Sequence, residues 1–260
     1  SSINANNARI SAGNDINIES TLDRFSSYEK DGGRTETIRG TTNAASSINV
    51  SEALQIDAGD DLTVIGSEIN AGRASIRAGD DITIESRETE YFQEIKERRK
   101  RILGSETKTT TVERTTQAGS SINVDGALVT ISGGDTTIAA SNVNVGGDLY
   151  TETGGNLNIE NRTNVEETSV VTRRTGLGAG GAVYGDVRQT DIDTDRTVVG
   201  SSINVGGRTQ LEVGEDLNIL GSELNLEGSL LGNVGGDINV LDAQEIDREY
   251  SRTESLTILG

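Results

Sequence analysis

Short runs in which apolar and polar residues alternate recur along most of the chain. Clear examples are residues 54–58 (LQIDA), 62–64 (LTV), 211–213 (LEV) and 217–219 (LNI). A period of two places every second side chain on the same face, so each run predicts a short β-strand with one buried face. Gly-Gly, Gly-Asp and Asp-Asp pairs separate the runs, and these residues are typical of tight turns. The pattern therefore predicts an all-β chain of many short strands.

Two motifs each occur seven times. The first combines a serine, an apolar residue and an asparagine, and in three pairs of copies the apolar residue recurs after 21 residues (Ile48 and Ile69, Ile122 and Val143, Ile203 and Leu224). The copies of this first motif end at Asn4, Asn49, Asn70, Asn123, Asn144, Asn204 and Asn225. The second motif is a turn sequence that begins at Gly13, Gly59, Gly79, Gly133, Gly154, Gly214 and Gly235. Such regular recurrence indicates a repeat architecture.

Two or three short strands and their turns fit into about 21 residues, which is one coil of a β-solenoid. The strands of each coil would pair in parallel with the next coil, and their aliphatic faces would stack inward. A β-sandwich also has short, evenly spaced strands, but its strands do not repeat the same polar residues at the same offset. We therefore predict a parallel β-helix of about 21 residues per coil that runs through residues 1–260 as one segment.

Stacked coils would place the repeated asparagines above one another, about 4.8 Å apart, where side-chain amides can bond along the column. We interpret this column as an internal structural ladder; ligand binding is the alternative interpretation. The ladder residues are Asn49, Asn70, Asn123, Asn144, Asn204 and Asn225.

Four segments interrupt the period, at residues 19–46, 86–119, 161–200 and 242–260. Their Thr- and Val-rich stretches favour strands, and long structureless loops are rare in compact folds. We therefore predict β-hairpins that project from the solenoid. Residues 91–103 (YFQEIKERRKRIL) are also compatible with a short helix.

Charge separates the coils from these excursions. The chain has a net charge of −19, which argues against nucleic-acid binding by bulk charge. Nineteen of the 23 basic residues and six of the seven aromatic residues lie in the excursions. Arg and aromatic residues are enriched at binding surfaces, although they would also hold strand pairs together. The candidate partner contacts are Tyr91, Phe92, Arg98, Arg99, Lys100, Arg101 and Tyr184.

The composition excludes several kinds of chemistry. The chain has no Cys and no His, so it has no disulfide, no thiolate or imidazole metal ligand and no Ser-His pair. The acidic turn residues would suit Ca²⁺, but they recur about every 21 residues rather than in the nine-residue calcium repeat. The pairs Asp60–Asp61 and Asp80–Asp81 belong to the repeat and do not mark a catalytic cleft. We predict no metal, no cofactor and no enzyme activity, and no apolar run is long enough for a transmembrane helix.

Three strands end in the same way just before an excursion: Ile16–Glu19 (INIE), Ile82–Glu85 (ITIE) and Leu157–Glu160 (LNIE). With the two repeated motifs, these residues make the whole chain resemble the filamentous haemagglutinin repeats of two-partner-secreted exoproteins. The sequence is especially similar to the repeat block in the C-terminal half of contact-dependent growth-inhibition exoproteins.

This resemblance implies a right-handed parallel β-helix and secretion through an outer-membrane β-barrel partner. It also implies a place on the surface of a Gram-negative bacterium, as a filament that engages host or bacterial cell surfaces. Because the chain opens within the repeat pattern at Ser1, we expect an internal fragment of a longer exoprotein.

The expected function is that of a rigid filament whose hairpins mediate adhesion or contact with a target cell. One alternative is a toxin-delivery segment of a growth-inhibition protein that associates with the target outer membrane. The other is a polysaccharide-acting β-helix enzyme, which would require acidic residues that break the repeat.

Overall fold

A computed structural model describes residues 1–177, 179 and 183–258, with side chains as far as Leu256. The described chain contains 25 β-strands and no α-helix, and the strands form three sheets. Sheets A and B are parallel and build the solenoid, whereas sheet C is antiparallel and is built from the excursions.

The solenoid has seven coils, each of which contributes strands to sheets A and B. The strands of sheet A are β1 (Ser2–Ala12), β5 (Ser47–Ala58), β7 (Glu68–Ala78), β11 (Ser121–Val124), β12 (Leu128–Ser132), β14 (Asn142–Val145), β15 (Leu149–Thr153), β19 (Ser202–Val205), β20 (Thr209–Val213), β22 (Glu223–Leu226) and β23 (Leu230–Val234). The strands of sheet B are β2 (Ile16–Glu19), β6 (Leu62–Ile65), β8 (Ile82–Glu85), β13 (Thr136–Ala139), β16 (Leu157–Glu160), β21 (Leu217–Leu220) and β24 (Ile238–Leu241).

Strand register follows the sequence repeat. One position of sheet A is occupied in successive coils by Ile3, Ile48, Ile69, Ile122, Val143, Ile203 and Leu224. The first three coils contribute one long strand to sheet A, and the later coils contribute two short strands separated by a turn. Every strand pair in sheets A and B is parallel, which confirms the predicted parallel β-helix.

An aliphatic core fills the solenoid. Side chains that point inward are almost completely buried, and Ile56, Leu62 and Ile69 are fully so. Burying such a side chain contributes roughly 1.5–3 kcal/mol relative to leaving it exposed. At the last coil the equivalent inward residues lose their upper neighbours, and Ile238 is 63% exposed. Each coil is therefore stabilised chiefly by the coils on either side of it.

Polar side chains form hydrogen-bonded columns along the solenoid. In the asparagine column each side-chain NH₂ donates to Oδ1 of the preceding coil; Asn70 donates to Asn49 over 2.8 Å and Asn123 to Asn70 over 2.9 Å. The same bond continues from Asn4 to Asn225. The column lies on the outer face of sheet A, where the asparagines alternate with buried residues such as Ile48 and Val50 and are half-buried or exposed. Each amide bond joins one coil to the next, so the column stabilises the stacking of consecutive coils.

The corner between sheets A and B carries a second column. Here the Oδ1 of an Asp or Asn accepts a hydrogen bond from a backbone N–H of the next coil. Asp61 Oδ1 accepts from the N–H of Asp81 (3.0 Å), and Asp81 Oδ1 accepts from the N–H of Asp135 (2.7 Å). The preceding glycine must approach the neighbouring coil closely, because a Cβ on Gly133 would lie 2.0 Å from the carbonyl oxygen of Gly79. The glycines and aspartates of the second motif are thus explained by close stacking at this corner.

The four excursions do not project as separate hairpins; they pair side by side into one seven-stranded sheet. The order of strands in sheet C is β3 (Thr21–Asp31), β4 (Arg34–Ala44), β9 (Arg87–Arg101), β10 (Gly104–Ala118), β17 (Arg162–Gly176), β18 (Tyr184–Val199) and β25 (Arg248–Ile258). Residues 91–101 belong to β9 and pair with β4 and β10, so the strand interpretation of this segment holds and the helix does not form.

The spacing of strands explains why excursions leave the solenoid at every second coil. Strands in a sheet are about 4.8 Å apart, so two coils rise by about 9.6 Å. A hairpin has two strands and needs the same 9.6 Å if it is to pair with the next hairpin. One hairpin for each pair of coils therefore gives sheet C the same rise as the solenoid, and its strands follow one another along the solenoid axis.

A serine closes the turn from sheet B to sheet A in each of the six junctions from the first coil to the seventh. Where the turn is short, its hydroxyl donates to a carbonyl two residues earlier, as from Ser67 to Ile65 (2.9 Å). Where a hairpin intervenes, the equivalent serine donates to the equivalent carbonyl across the insertion, as from Ser46 to Glu19 and from Ser120 to Glu85 (both 2.7 Å). The remaining junctions use Ser141, Ser201 and Ser222.

Candidate contact surface

Sheet C is a single layer, and this determines where the candidate contact residues lie. No aliphatic or aromatic side chain described in sheet C is buried, so both faces are open. Alternate residues of a strand point to opposite faces. We call the face that carries Arg39, Phe92 and Glu113 the cleft face, and the face that carries Tyr91 and Arg114 the reverse face.

The sequence cluster from Tyr91 to Arg101 is therefore not one patch. Tyr91, Arg99 and Arg101 lie on the reverse face, whereas Phe92, Arg98 and Lys100 lie on the cleft face. Six residues of strand span about 20 Å, so the two aromatic rings are near the solenoid and the basic residues are at the distal end. Tyr184 begins β18 at that distal end and is 49% exposed.

On the cleft face, residues of two hairpins converge close to the solenoid. The Arg39 guanidinium carbon lies 4.2 Å from the centre of the Phe92 ring, a cation–π contact between directly paired residues of β4 and β9. A cleft of about 770 Å³ opens here. We call it the proximal cleft; among its lining residues are Leu22, Arg24, Arg39, Glu90, Phe92 and Glu113.

The reverse face at the same level is held by charge pairs. Arg114 lies 5.7 Å from the centre of the Tyr91 ring and donates to both carboxylate oxygens of Glu166, at 2.7 and 3.1 Å. These hydrogen bonds raise the pKa of Arg114 above its ordinary value. The Phe25 ring covers Gly40, where a Cβ would come within 2.7 Å of the ring. These contacts order the sheet, and Tyr91 and Phe92 are both half-buried, each with an arginine beside its ring.

The distal part of the cleft face is strongly basic. Arg173 pairs with Asp186, which lowers the pKa of that carboxyl. A second cleft of about 580 Å³, the distal groove, crosses four strands here, and Arg173, Asp186, Arg188 and Glu254 line it. The basic residues of this part of the face are Lys30, Lys96, Arg98, Lys100, Arg173, Arg188 and Arg252; its acidic residues are Glu94, Asp186 and Glu254.

Most of these basic residues escaped the sequence analysis. Lys30, Lys96, Arg173, Arg188 and Arg252 come from four different excursions, and only lateral pairing brings them together with Arg98 and Lys100. Within each strand the basic residues occupy every second position, which places them on one face. The sequence does not show that these faces coincide, because the register between neighbouring hairpins must be known first.

Other kinds of site are not found in the described part of the chain. Within these residues no group of three or more His, Cys, Asp or Glu side chains is placed to hold a metal ion. The aligned turn aspartates accept backbone N–H groups: Asp15 Oδ1 accepts from the N–H of Asp61, and Asp61 Oδ1 accepts from the N–H of Asp81. A search of the described residues for a helix long and apolar enough to span a membrane found none.

Comparison with known proteins identifies the repeat. A model of the hemagglutinin repeat family matches residues 27–101 and 102–256, which together make up most of the chain. No curated protein and no solved structure matches the chain significantly. The family match confirms the resemblance to filamentous haemagglutinin repeats. The chain therefore belongs to the hemagglutinin repeat family and is a repeat segment of an adhesin-like exoprotein.

Proposed function

We propose that this segment is a stiff spacer of a secreted, two-partner-type surface protein of a Gram-negative bacterium, and that sheet C contacts a host or bacterial cell. The observation that carries the proposal is the single-layer construction of sheet C. A sheet with both faces open and no buried apolar side chain offers a broad polar surface rather than a core. Its position on a continuous solenoid would hold that surface in a fixed orientation.

The solenoid supplies stiffness. Seven coils about 4.8 Å apart make a rod of roughly 34 Å. Its interior is filled by two clusters of aliphatic side chains and by buried hydroxyls such as those of Ser132, Thr136 and Thr153, which are hydrogen-bonded to one another. Sheet C follows the same axis, so its strands bridge consecutive pairs of coils. A rod stabilised in this way resists bending and keeps the contact surface away from the cell that carries it.

The proximal cleft is the part of sheet C best suited to a protein or glycan receptor. Arg and aromatic residues dominate the energetics of many interfaces when they line a pocket, and Arg39 and Phe92 are stacked at this cleft. Phe92 is also partly buried, so little rotational freedom would be lost on binding. Charges in both faces of sheet C favour contact with a polar surface over entry of the hairpins into a bilayer.

Binding of labelled 1–260 to Gram-negative outer-membrane vesicles and to host epithelial cells tests the proposal. Arg39→Ala with Phe92→Ala should weaken binding by roughly tenfold or more, as for other interface hot spots. Tyr91→Ala with Arg114→Ala is the matched control, because it removes the arginine–aromatic pair of the adjacent row; both residues border the cleft, but their side chains point to the reverse face.

Equal binding by both double variants would exclude the proximal cleft as the contact. No binding by the parent protein to either surface would contradict a contact role and leave a passive spacer. Melting curves of both variants establish that a loss of binding is not a loss of folding.

A further inference from the structure

We propose that the distal groove, together with the basic residues that flank it on the cleft face, binds the acidic corner of a second copy of this chain, so that copies associate side by side with their axes parallel. The inference goes beyond cell contact and does not depend on it, because it uses the opposite end of the cleft face.

Four of the seven basic residues in and beside the groove have no carboxylate partner among the described residues. Among the described residues, Arg173, Lys96 and Arg252 have carboxylate partners within 4.0 Å, at Asp186, Glu94 and Glu254. No described carboxylate lies within that distance of the other four residues of the set. Those residues are Lys30, Arg98, Lys100 and Arg188. Their ammonium and guanidinium groups are available to a partner of opposite charge.

The chain itself carries a matching surface on its solenoid. The turn from sheet A to sheet B carries a carboxylate in every coil except the fifth, which has Asn156 there, and these turns contain no basic residue. Its carboxylates are those of Asp15, Asp60, Asp61, Asp80, Asp81, Asp135, Glu215, Asp216 and Asp237. Its glycines leave no side chain beside the backbone, because a Cβ would collide with the coil below. The corner is therefore a narrow acidic ridge.

The two surfaces also share a period. The groove crosses strands β10, β17, β18 and β25, so it runs along the solenoid axis. Its strands follow one another at about 4.8 Å, and so do the coils that present the ridge carboxylates. In two parallel copies, the spacing of the coils that carry the carboxylates would equal the spacing of the strands opposite them. An unrelated polyanion would match the charge but not this repeat.

The corner that carries the ridge is not the corner from which the hairpins leave. The hairpins emerge at the turn from sheet B to sheet A, whereas the ridge lies at the turn from sheet A to sheet B. One copy can therefore offer its groove to one neighbour and its ridge to another. Such head-to-tail contacts do not close on themselves, and they would bundle the rods laterally.

Sedimentation velocity of 1–260 over a range of concentrations tests the inference, with no cells present. The variant Arg98→Glu with Lys100→Glu changes two flanking residues on β9, opposite Thr107 and Ser105 of β10, and is called the groove variant. We expect the parent protein to associate and the groove variant to associate at least tenfold more weakly, because like charges then face each other. Arg99→Glu with Arg101→Glu is the matched control: it makes the same charge change on the same strand, but on the reverse face, and should associate like the parent.

A charge swap makes the test specific. Asp60→Lys with Asp80→Lys places two lysines on adjacent coils of the ridge and leaves in place Asp61 and Asp81, which accept backbone N–H groups; alone, it should also associate weakly. An equimolar mixture of the groove and ridge variants should recover association, because the new glutamates of one variant can then pair with the new lysines of the other.

Two results would overturn the inference. The first is a parent protein that stays monomeric at every concentration; if its groove then binds heparin or polyphosphate, the groove recognises a different polyanion. The second is association that survives the groove variant, which would indicate end-to-end pairing of the open sheet edges. Failure of cell binding would leave both readouts unchanged.

Discussion

The solenoid and sheet C are built from the same element at the same spacing, yet they are stabilised differently. Solenoid strands have one face in an aliphatic core and are held by neutral amide and hydroxyl columns. Strands of sheet C have no core and depend on backbone pairing, cross-strand charge pairs such as Arg114–Glu166, and ring contacts such as Arg39–Phe92. A large part of a β-protein can therefore do without a core when a rigid neighbour fixes the height of its strands.

Removing one coil should disrupt the pairing of strands in sheet C, because the solenoid would no longer hold neighbouring hairpins at the right distance; this is the largest expected effect. Deletion of residues 120–140 joins Gly119 to Ser141, the equivalent of Ser120, so the solenoid can close. The hairpins on either side then lie one coil apart, and four strands no longer fit the available height. We expect amide hydrogens of β10 and β17 to lose about 100-fold or more of their exchange protection, as measured by hydrogen exchange with mass spectrometry.

A longer deletion is the control. Removal of residues 120–200 takes out two coils together with their hairpin, and β10 can then pair with β25 in the same antiparallel sense. This shorter protein should keep sheet C protected. Equal protection of sheet C in the two deletion variants would show that the solenoid does not set its register.

The same substitution in the two regions should give a smaller, graded effect. Ile122→Ala empties a fully buried site in the solenoid and should lower the free energy of unfolding by about 2–5 kcal/mol. Ile95→Ala removes the same atoms from the open sheet and should cost only about 0.2–1 kcal/mol, the range of a cross-strand pair. Urea titrations of both variants measure the difference, and similar values would mean that sheet C buries more than its exposure indicates.

The smallest expected effect concerns pH and belongs to sheet C. A hydrogen bond between the carboxyls of Asp195 and Asp247 raises the pKa of Asp195 in the folded protein. The stability gained from the protonated form is fully present below the ordinary pKa of an Asp and is lost as the pH rises through the raised value. Asp195→Asn should therefore match the parent at acidic pH and melt slightly higher at neutral pH.

Asp193→Asn serves as the control, because it removes the same charge from the same strand without touching Asp247. Melting temperatures measured between acidic and neutral pH would contradict the assignment if the two variants followed the same curve.

The solenoid was predictable from the sequence because its constraints recur at fixed intervals. Each coil must repeat an inward apolar residue, a column asparagine and a corner glycine, so the parallel β-helix follows from the motifs around Ile48, Ile69 and Ile122. The purpose of the serines and glycines was not evident, since both depend on how closely neighbouring coils approach. The need for glycine at position 133 and for serine at position 120 is explained only by contacts with the preceding coil, at the carbonyl oxygens of Gly79 and Glu85.

Sheet C was less predictable, because nothing local in an arm specifies its partner. The pairing of β4 with β9 and of β10 with β17 follows from the height at which each hairpin leaves the solenoid. The charged run near Arg98 is compatible with a helix on its own, and tertiary pairing decides otherwise. Because they are close in sequence, Tyr91, Phe92 and Arg98 to Arg101 were predicted as one candidate site. In the structure they lie on both faces of sheet C, with the aromatic residues near the solenoid and the basic residues at the distal end of the strand.

The serine at the sheet B to sheet A turn has a consequence for how such proteins can diversify. Its hydroxyl reaches the same carbonyl whether 2, 27, 35 or 41 residues separate the two groups. The hydrogen bond that closes the junction is thus the same whatever the length of the insertion, so the solenoid can accept new sequence at this turn without a change in its own residues. Foreign peptides grafted into this turn, two strands at a time, would be displayed at heights set by the coil from which they emerge.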